Sequence, residues 1–214
     1  MKTALIAGST GLVGNNLLSI LLHDNRYDKV IALTRKPLGI THSKLTEVLT
    51  DFATLANHTA ALQCDDVFCC LGTTMAKARS KEKFYQVDFE YPVKLGELAK
   101  ASGASKYLLV SALGADSTSS IYYNKVKGET ESAITKLGYS VVHIFRPSLL
   151  LGERNESRPG EEAAKTFYRL FGFLVPKKYK GIQASTVAKA MIHFAHDDMH
   201  GTFIHESKEM QKFS

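Results

Sequence analysis

The chain has 214 residues, of which 44% are hydrophobic and 22% are charged. This balance is typical of a globular domain that buries a core, and it excludes a disordered or fibrous chain. No apolar run approaches the roughly 20 residues that a membrane-spanning helix needs, and the apolar run after Met1 is too short for a secretory signal. The formal net charge of +6 raises the question of a nucleic-acid partner.

The positive charge does not indicate a nucleic-acid surface. Lysine and arginine are scattered along the sequence, and the one basic cluster is at residues 177–180. We therefore expect a solvated basic face, or surroundings that favour an anionic cofactor or substrate, and we rank nucleic-acid binding last. Cys64, Cys69 and Cys70 have no metal-ligand spacing and form no even disulfide set, and the eight histidines form no cluster. The sequence thus predicts no metal site and a reducing, cytoplasmic location.

The N-terminal segment carries the strongest signal in the sequence. An apolar run over residues 3–7 precedes glycines at positions 8, 11 and 14, and a second apolar run covers residues 17–22. This order predicts a buried parallel strand, a tight turn and the start of a helix. Such a turn lets a pyrophosphate approach the backbone at the positive end of the helix, although a turn that needs glycine for geometry alone is the competing interpretation. The cofactor contacts predicted here are Gly8, Ser9, Thr10, Gly11, Leu12, Val13 and Gly14.

The end of the second predicted strand, residues 29–34, indicates which dinucleotide would bind. NAD-binding folds place an acidic residue about 20 residues beyond the glycines, where it binds the ribose 2′-hydroxyl. Here Arg35 stands 21 residues after Gly14 (35 − 14), and Lys36 follows it. A guanidinium would bind a 2′-phosphate through two hydrogen bonds and stack on adenine. We therefore predict NADP(H) as the cofactor, with an exposed basic loop as the alternative interpretation.

The remaining segments continue the alternation of strands and helices. We expect strands at residues 45–50, 66–71, 107–111, 140–145 and 201–205, and helices at 54–62, 80–102, 122–137, 161–175 and 184–195. Pro92 would kink the long helix, and the tail from Glu206 would fray. The pattern predicts an α/β fold, a Rossmann-type doubly wound parallel sheet in one domain over residues 1–214. Residues 147–205 would contribute a small substrate or lid region.

The carboxyl ends of the predicted strands form the expected ligand crevice, as in other sheets of this type. Several of these ends carry small or polar residues, so we expect them to converge. The further cofactor contacts predicted there are Asp51, Phe52, Leu71, Gly72, Thr73 and Pro147. Beyond the sixth strand, Arg154 and Arg158 of the polar stretch 153–160 are candidates to bind an anionic substrate.

Tyr123 and Lys127 stand four residues apart and so share one face of the predicted helix 122–137. Hydride transfer to a carbonyl requires a proton donor for the developing alkoxide, and a nearby ammonium makes a tyrosine a better donor. Ser111, at the end of the fifth strand, is placed to hydrogen-bond the substrate oxygen. Tyr122 with Lys125 is the alternative pair, but we predict Tyr123 as proton donor or acceptor, with Lys127 and Ser111 as the other catalytic residues.

These motifs resemble those of the short-chain dehydrogenase/reductase superfamily, and the glycine spacing resembles its extended and atypical branches. Residues 68–74, 106–116, 126–129, 145–147 and 156–160 resemble more closely the Tat-interacting-protein-like oxidoreductases. The resemblance covers nearly the whole chain and implies an NADP(H)-binding, dehydrogenase-like Rossmann protein with Tyr123 as proton donor. It supplies no substrate. The sequence departs from it at Ala112, where a second serine is common.

The function predicted from these residues is that of an NADP(H)-dependent oxidoreductase acting on a small carbonyl or alcohol. A nucleotide-sugar epimerase or dehydratase is an alternative. Against it stand the short region after the sixth strand and the absence of an evident extra carboxylate beside the tyrosine. A regulator that senses NADP(H) and binds a protein partner without turnover is another alternative. The sequence leaves open whether the chain is a monomer or a homodimer.

Overall fold

The computed structural model describes residues 2–152, 180–197 and 199–214. Its strands are β1 (Lys2–Ala7), β2 (Tyr27–Thr34), β3 (Leu45–Leu49), β4 (Asp66–Cys69), β5 (Lys106–Val110), β6 (Val141–Arg146), β7 (Leu150–Leu151), β8 (Ile182–Gln183) and β9 (Gly201–Glu206). Its α-helices are α1 (Leu12–His23), α2 (Met75–Ala78), α3 (Lys81–Tyr85), α4 (Tyr91–Ala101), α5 (Tyr122–Thr135), α6 (Ala184–Ala195) and α7 (Ser207–Met210). Leu55–Leu62 and Gln211–Phe213 form 3-10 turns, and Gln86–Glu90 forms a π-helical turn.

Seven strands form one parallel sheet in the order β3-β2-β1-β4-β5-β6-β9, while β7 pairs with β8 separately. Parallel neighbours need crossover connections, which helices on both faces of the sheet supply. Strands covered on both faces are near-continuous apolar runs, and residues 4–7 of β1 are all fully buried. The strand order reverses between β1 and β4, which is where ligands bind in such sheets.

The core lies in two layers, one on each face of the sheet. Leu17 of α1 and Val187 of α6 belong to one layer, and Leu95 of α4 and Ile134 of α5 belong to the other. All four side chains are fully buried. Burial of an aliphatic side chain of this size contributes about 1.5–3 kcal/mol, so both layers stabilise the sheet substantially. The predicted Rossmann-type, doubly wound fold is confirmed.

The helix predicted over residues 80–102 is divided into three parts. The Ser80 hydroxyl accepts the amide N–H of Lys83 and so caps α3, as its position predicted. The chain then passes through the π-helical turn Gln86–Glu90 into α4, with Pro92 buried in the first turn of that helix. Proline is tolerated there because the Asp88 carbonyl, which an amide N–H at position 92 would reach in a regular α-helix, accepts the hydroxyl of Thr130 instead. The irregularity expected at Pro92 is therefore a π turn that lies just before it.

The prediction that the tail from Glu206 would fray is wrong. Residues Ser207–Met210 form α7, and the side chain of Met210 is fully buried. The hydroxyl of Ser207 accepts the amide N–H of Ser148 at 2.6 Å, which attaches the tail to the loop after β6. A single buried methionine in a short segment has no periodicity, so the sequence pattern could not indicate this packing.

Three predictions fall outside the described residues. They are the helix over residues 161–175, the polar stretch 153–160 with its two arginines, and residues 177–179 of the basic cluster. Among the residues that the structure describes, each helix is too short or too polar to cross a bilayer.

Two buried histidines connect the edge strand β9 to β6. His143 Nδ1 lies 3.0 Å from His205 Nε2, and His205 Nδ1 lies 3.1 Å from Glu209 Oε2. The ring of His205 stacks on that of Phe194, with 3.7 Å between their centroids. Burial, together with the nearby His205 and Lys106, lowers the pKa of His143 to about 4. Burial also lowers the pKa of His205, so both rings favour the neutral form in the folded protein.

Acid is expected to destabilise the fold through this pair. The unfolded chain binds a proton near the ordinary histidine pKa of 6.5, whereas folded His143 does so near 4, so stability falls as the pH drops from 6.5 towards 4. For His143 alone, the expected loss of unfolding free energy between pH 7.5 and pH 5 is about 2 kcal/mol. Urea unfolding at both pH values measures this loss. His143→Phe should reduce it and the exposed His200→Gln should not; an undiminished pH dependence in His143→Phe would contradict the assignment.

Candidate active site

The turn between β1 and α1 forms the first part of the site. The amide N–H of Gly11 donates to the carbonyl oxygen of Gly8 at 3.0 Å and closes the turn. Gly8 has a φ of +87°, which other residues rarely adopt, and a Cβ on Gly14 would lie 2.1 Å from the carbonyl oxygen of Gly8. Residues 8–14 therefore form a tight turn that brings the N-terminus of α1 to the carboxyl end of β1.

The N-terminus of α1 offers hydrogen-bond donors that suit a diphosphate. Gly11 stands at the N-cap position without a side-chain cap, and the first N–H groups of a helix have no partner within it. The hydroxyl of Ser9 is buried and has no hydrogen-bond partner among the described residues. Free amides and a hydroxyl at the positive end of a helix suit phosphate oxygens. The residues of this turn therefore fit the diphosphate of a dinucleotide.

The loops after β2 and β3 carry the next predicted residues. Arg35 and Lys36 are exposed directly after β2. Asp51, after β3, accepts the amide N–H and the hydroxyl of Thr54, each at 2.9 Å, and these two bonds lower its pKa. The carboxylate of Asp51 thus closes its own turn, and the two basic side chains remain exposed beside it.

Phe52 stacks on Tyr91, a residue that the sequence pattern did not indicate. Their ring centroids are 4.6 Å apart and the rings are 16° from parallel. Burial and then the nearby Asp51 raise the pKa of Tyr91, while Arg35 opposes them, which places all of these groups in one neighbourhood. Tyr91 was hidden within a predicted continuous helix, and the break at the π turn makes it the first residue of α4.

Lys127 forms a buried ion pair with Asp88. Its Nζ lies 2.7 Å from Asp88 Oδ1, and the two side chains are 7% and 0% exposed. A Cβ on Gly72 would lie 3.4 Å from that oxygen and 3.6 Å from the Nζ, so the pair lies against the loop after β4. Burial lowers the pKa of Lys127, but the charges of Asp88 and then Tyr123 raise it by more, so the net shift is upward. The ammonium therefore stays charged at neutral pH.

Asp88 is a second residue that the sequence pattern did not indicate. Its Oδ2 accepts the amide N–H of Thr73 at 2.8 Å, and its backbone carbonyl accepts the hydroxyl of Thr130 at 2.8 Å. It lies in the π turn, an irregularity that is frequent at functional sites in helices. The sequence did contain one signal for it, since Asp88 stands between the apolar residues Val87 and Phe89. A charged residue among buried apolar neighbours is itself buried only when it is paired, so a partner for Asp88 could have been sought.

Tyr123 and Tyr122 have different partners, which separates the two candidates for proton transfer. The hydroxyl of Tyr122 donates to the backbone carbonyl of Lys81 at 3.0 Å. The ring of Tyr123 packs against Phe84, with 5.6 Å between centroids, and its hydroxyl makes no hydrogen bond to any residue that the structure describes. Tyr123 lies one turn before Lys127 on α5 and contributes to the raised pKa of that lysine. Tyr123 therefore stays the predicted proton donor, with a hydroxyl that has no partner among the described residues.

Ser111 has a protein partner for its hydroxyl. This buried hydroxyl donates to Glu131 Oε1 at 2.5 Å. Arg146 binds the same carboxylate, through Nε to Oε1 at 3.0 Å and through Nη2 to Oε2 at 2.5 Å. From its place in the sequence, Ser111 was expected to hydrogen-bond a substrate oxygen, whereas its hydroxyl donates to Glu131 in the structure. Glu131 was not indicated by a motif, and Arg146 lay in a quoted segment, 145–147, without a role, because no local pattern shows that the two side chains meet.

The structure brings the predicted residues to one edge of the sheet. Strands β1, β4, β5 and β6 are neighbours and parallel, so their carboxyl ends are adjacent. The glycine turn follows β1, Leu71, Gly72 and Thr73 follow β4, and Ser111 follows β5. Pro147 follows β6, and its carbonyl accepts the amide N–H of Leu113 at 2.9 Å. Arg35, Lys36, Asp51 and Phe52 extend this edge past β2 and β3.

Comparison with known proteins identifies relatives of this chain. Residues 4–136 match the NAD dependent epimerase/dehydratase family. Protein HTATIP2 of Rattus norvegicus is 38% identical over 198 residues, which cover 90% of this chain and 80% of that protein. Protein FMP52, mitochondrial, of Candida albicans is 34% identical over 203 residues, with 92% and 89% coverage. The structure of MoeE5 in complex with UDP-glucose and NAD has the same fold, with a TM-score of 0.73 at 16% identity, covering 94% of this chain and 74% of that one.

The prediction of a cytoplasmic location is wrong, because it conflicts with the names of close relatives. Several fungal relatives are named as mitochondrial proteins. The expectation depended on unpaired cysteines, all three of which are free in the structure. Free cysteines indicate that disulfides do not form, but they do not distinguish one compartment of a cell from another.

The relatives belong to the same group of proteins that the sequence motifs resemble. The family match covers more than half of the chain and includes the glycine turn, the π turn and the helix with Tyr123 and Lys127. The similarity to HTATIP2 extends over most of both proteins. The chain therefore belongs to the NAD-dependent epimerase/dehydratase family and, within the short-chain dehydrogenase/reductase superfamily, to the atypical members related to the Tat-interacting protein HTATIP2.

Proposed function

We propose that the chain is an NADP(H)-dependent oxidoreductase that transfers hydride to or from a small carbonyl or alcohol. The observation that carries this proposal is the placement of Tyr123 and Lys127 on one face of α5, with Lys127 paired to Asp88 beside the loop after β4. The family binds nicotinamide cofactors. A proton donor next to a fixed ammonium, at the edge where that cofactor would bind, suits carbonyl reduction.

The residues around the crevice suit the parts of NADP(H). The first amides of α1 and the hydroxyl of Ser9 would bind the diphosphate. Arg35 and Lys36 would bind the 2′-phosphate, because charged donors form strong hydrogen bonds with phosphate oxygens. Phe52 and Tyr91 offer an aromatic surface to the adenine. The bound cofactor supplies the hydride, and the side chains of the protein supply the proton and position the reacting groups.

Tyr123 would transfer the proton. During reduction, hydride adds to the carbonyl carbon and the Tyr123 hydroxyl donates its proton to the oxygen, which yields the alcohol. In the oxidation direction, the phenolate accepts that proton as the alcohol loses hydride. Lys127 stabilises the phenolate by its charge, and Asp88 fixes the position of this ammonium at 2.7 Å. The remaining N–H groups of Lys127 would bind the nicotinamide ribose.

A nucleotide-sugar epimerase is a second candidate function. The name of the matched family and the UDP-glucose in the MoeE5 structure favour it. Incubation with UDP-glucose and NAD, followed by chromatography of the nucleotide sugars, tests for it directly. The third candidate, an NADP(H) sensor without turnover, predicts cofactor-dependent binding of a protein partner and no reaction with any carbonyl. All three candidates require the dinucleotide site.

Arg35→Ala is expected to abolish most of the preference for NADPH over NADH. A hydrogen bond to a charged group contributes about 1.5–3 kcal/mol, so the Kd for NADPH should rise roughly tenfold to hundredfold, while that for NADH changes little. Calorimetric titration with each cofactor measures both values. Lys29→Ala removes an exposed charge at the opposite end of the same strand and serves as the matched control. Equal affinity of the wild type for the two cofactors would refute the assignment of NADP(H).

Tyr123→Phe is expected to lower turnover by a factor of about 10² or more, because a positioned general acid contributes about 10²–10⁴ to the rate. NADPH affinity should stay within about twofold, since the aromatic ring remains. The measurement is NADPH oxidation at 340 nm with a panel of aldehydes and ketones. Tyr122→Phe is the control, because that hydroxyl binds the Lys81 carbonyl instead. Wild-type rates in Tyr123→Phe would show that the proton comes from another group.

A further inference from the structure

We infer that Glu131 is a positioning residue for the active site, and that the hydroxyl of Ser111 serves Glu131 rather than the substrate. The inference rests on the proposed function, because it concerns the placement of Tyr123 and Lys127. It departs from the role that the resemblance implied for the serine. It makes Glu131 the partner of the serine hydroxyl. It also gives a positioning role to Glu131, which no motif indicated.

The carboxylate of Glu131 is fully occupied by its partners. Both of its oxygens are hydrogen-bonded, Oε1 by Ser111 and Arg146 and Oε2 by Arg146 alone. The side chain of Glu131 is 7% exposed and that of Arg146 is 22% exposed. Two parallel N–H···O bonds between a guanidinium and a carboxylate fix the orientation of both groups. The Glu131 side chain therefore has one arrangement relative to Arg146 and Ser111.

The direction of the serine hydrogen bond follows from the charge on Glu131. An ionised carboxylate has only acceptor oxygens, so the hydroxyl of Ser111 must be the donor. Serine has a single O–H proton, and a substrate oxygen would need that same proton. Turning the hydroxyl towards a substrate would remove a hydrogen bond from a buried carboxylate, which is unfavourable. Ser111 is thus a poor donor to substrate in this arrangement.

The contacts of Glu131 connect the catalytic helix to two strands. Glu131 lies one turn after Lys127 and two turns after Tyr123 on α5. Ser111 directly follows β5, and Arg146 is the last residue of β6. The helix is thereby attached at the carboxyl edge of the sheet, where the nicotinamide would bind. A shift of about 1 Å in a catalytic group can lower a rate about 10²-fold, so this attachment bears on turnover.

The first experiment compares three variants in the NADPH oxidation assay, with thermal unfolding measured for each. Ser111→Ala removes one of the three hydrogen bonds to Glu131 and leaves the two from Arg146, so kcat should fall by less than about tenfold and by less than in Glu131→Gln. Glu131→Gln should lower kcat about tenfold or more and change the Kd for NADPH less than twofold, because the amide NH2 that replaces Oε2 cannot accept the Nη2–H of Arg146 and the negative charge that pairs with the guanidinium is lost. Glu129→Gln is the matched control on the same helix, since the one ion pair that Glu129 makes with a described residue is a partly exposed contact at 4.0 Å with Lys125.

The outcomes separate positioning from direct contact. Loss of a donor to the reacting oxygen costs about 10²–10³ in kcat, so a loss of that size in Ser111→Ala would overturn the inference. Wild-type kcat in Glu131→Gln would overturn it as well. Arg146→Lys keeps the charge but loses the two-point contact, and it should resemble Glu131→Gln. Absence of NADPH binding by the wild type would instead refute the proposed function.

A spectroscopic measurement tests the inference even where no panel substrate reacts. Protein labelled with [ζ-¹³C]tyrosine gives one resonance for each tyrosine, and Tyr123→Phe identifies the resonance of Tyr123. Glu131→Gln should shift this resonance, because the helix that carries Tyr123 is released from β6. Glu129→Gln should leave it in place. An unchanged Tyr123 resonance in Glu131→Gln would show that the carboxylate does not position this tyrosine, and would overturn the inference.

Discussion

A buried ion pair holds the candidate active site together. Lys127 on α5 and Asp88 in the π turn are 2.7 Å apart and almost fully removed from water. Each charge would be costly to bury alone, and loss of one partner of such a pair costs about 3–5 kcal/mol. The second oxygen of Asp88 accepts the amide N–H of Thr73, so the pair also fixes the loop after β4. Three segments that are distant in sequence therefore meet at one pair of charges.

The polar contacts of α5 contrast with the apolar core on which it lies. Ile134 packs among aliphatic side chains, and such contacts tolerate small sliding movements because they have no direction. The hydrogen bonds of Asp88 and Glu131 are directional: those of Asp88 fix the helix to the π turn, and those of Glu131 fix it to the ends of β5 and β6. Apolar burial thus supplies stability, whereas the buried polar contacts at the carboxyl edge determine where Tyr123 lies. Natural proteins concentrate buried polar groups at functional edges of this kind.

The sequence predictions were accurate for features that depend on neighbouring residues, and they failed for features that depend on residues far apart in the sequence. The glycine turn, the strand pattern and the spacing of Tyr123 and Lys127 are local, and the parallel sheet and the family follow from them. Residues 184–195 form a helix with the predicted bounds. Pro92 predicted an irregularity in this helix, but Asp88 and Tyr91 were not identified, because no local pattern shows that the irregularity is a π turn or where its side chains lie. The packed tail after Glu206 was missed because its anchors, Met210 and the hydroxyl of Ser207, contact residues far away in sequence.

The sequence by itself determined the sheet, the place of the glycine turn and the face of α5 that carries Tyr123 and Lys127. These features depend on periodicity and on backbone geometry, which neighbouring residues control. Only the tertiary structure decided the partners of the side chains: Lys127 pairs with Asp88, and the proton of Ser111 is directed to Glu131. Such pairings join residues 20 or more positions apart, as Ser111 and Glu131 show, and depend on distances of 2.5–3 Å that no sequence spacing specifies. The arrangement of the site therefore follows from how the chain packs, although Tyr123 and Lys127, to which we assign the proposed chemistry, were identified from the sequence.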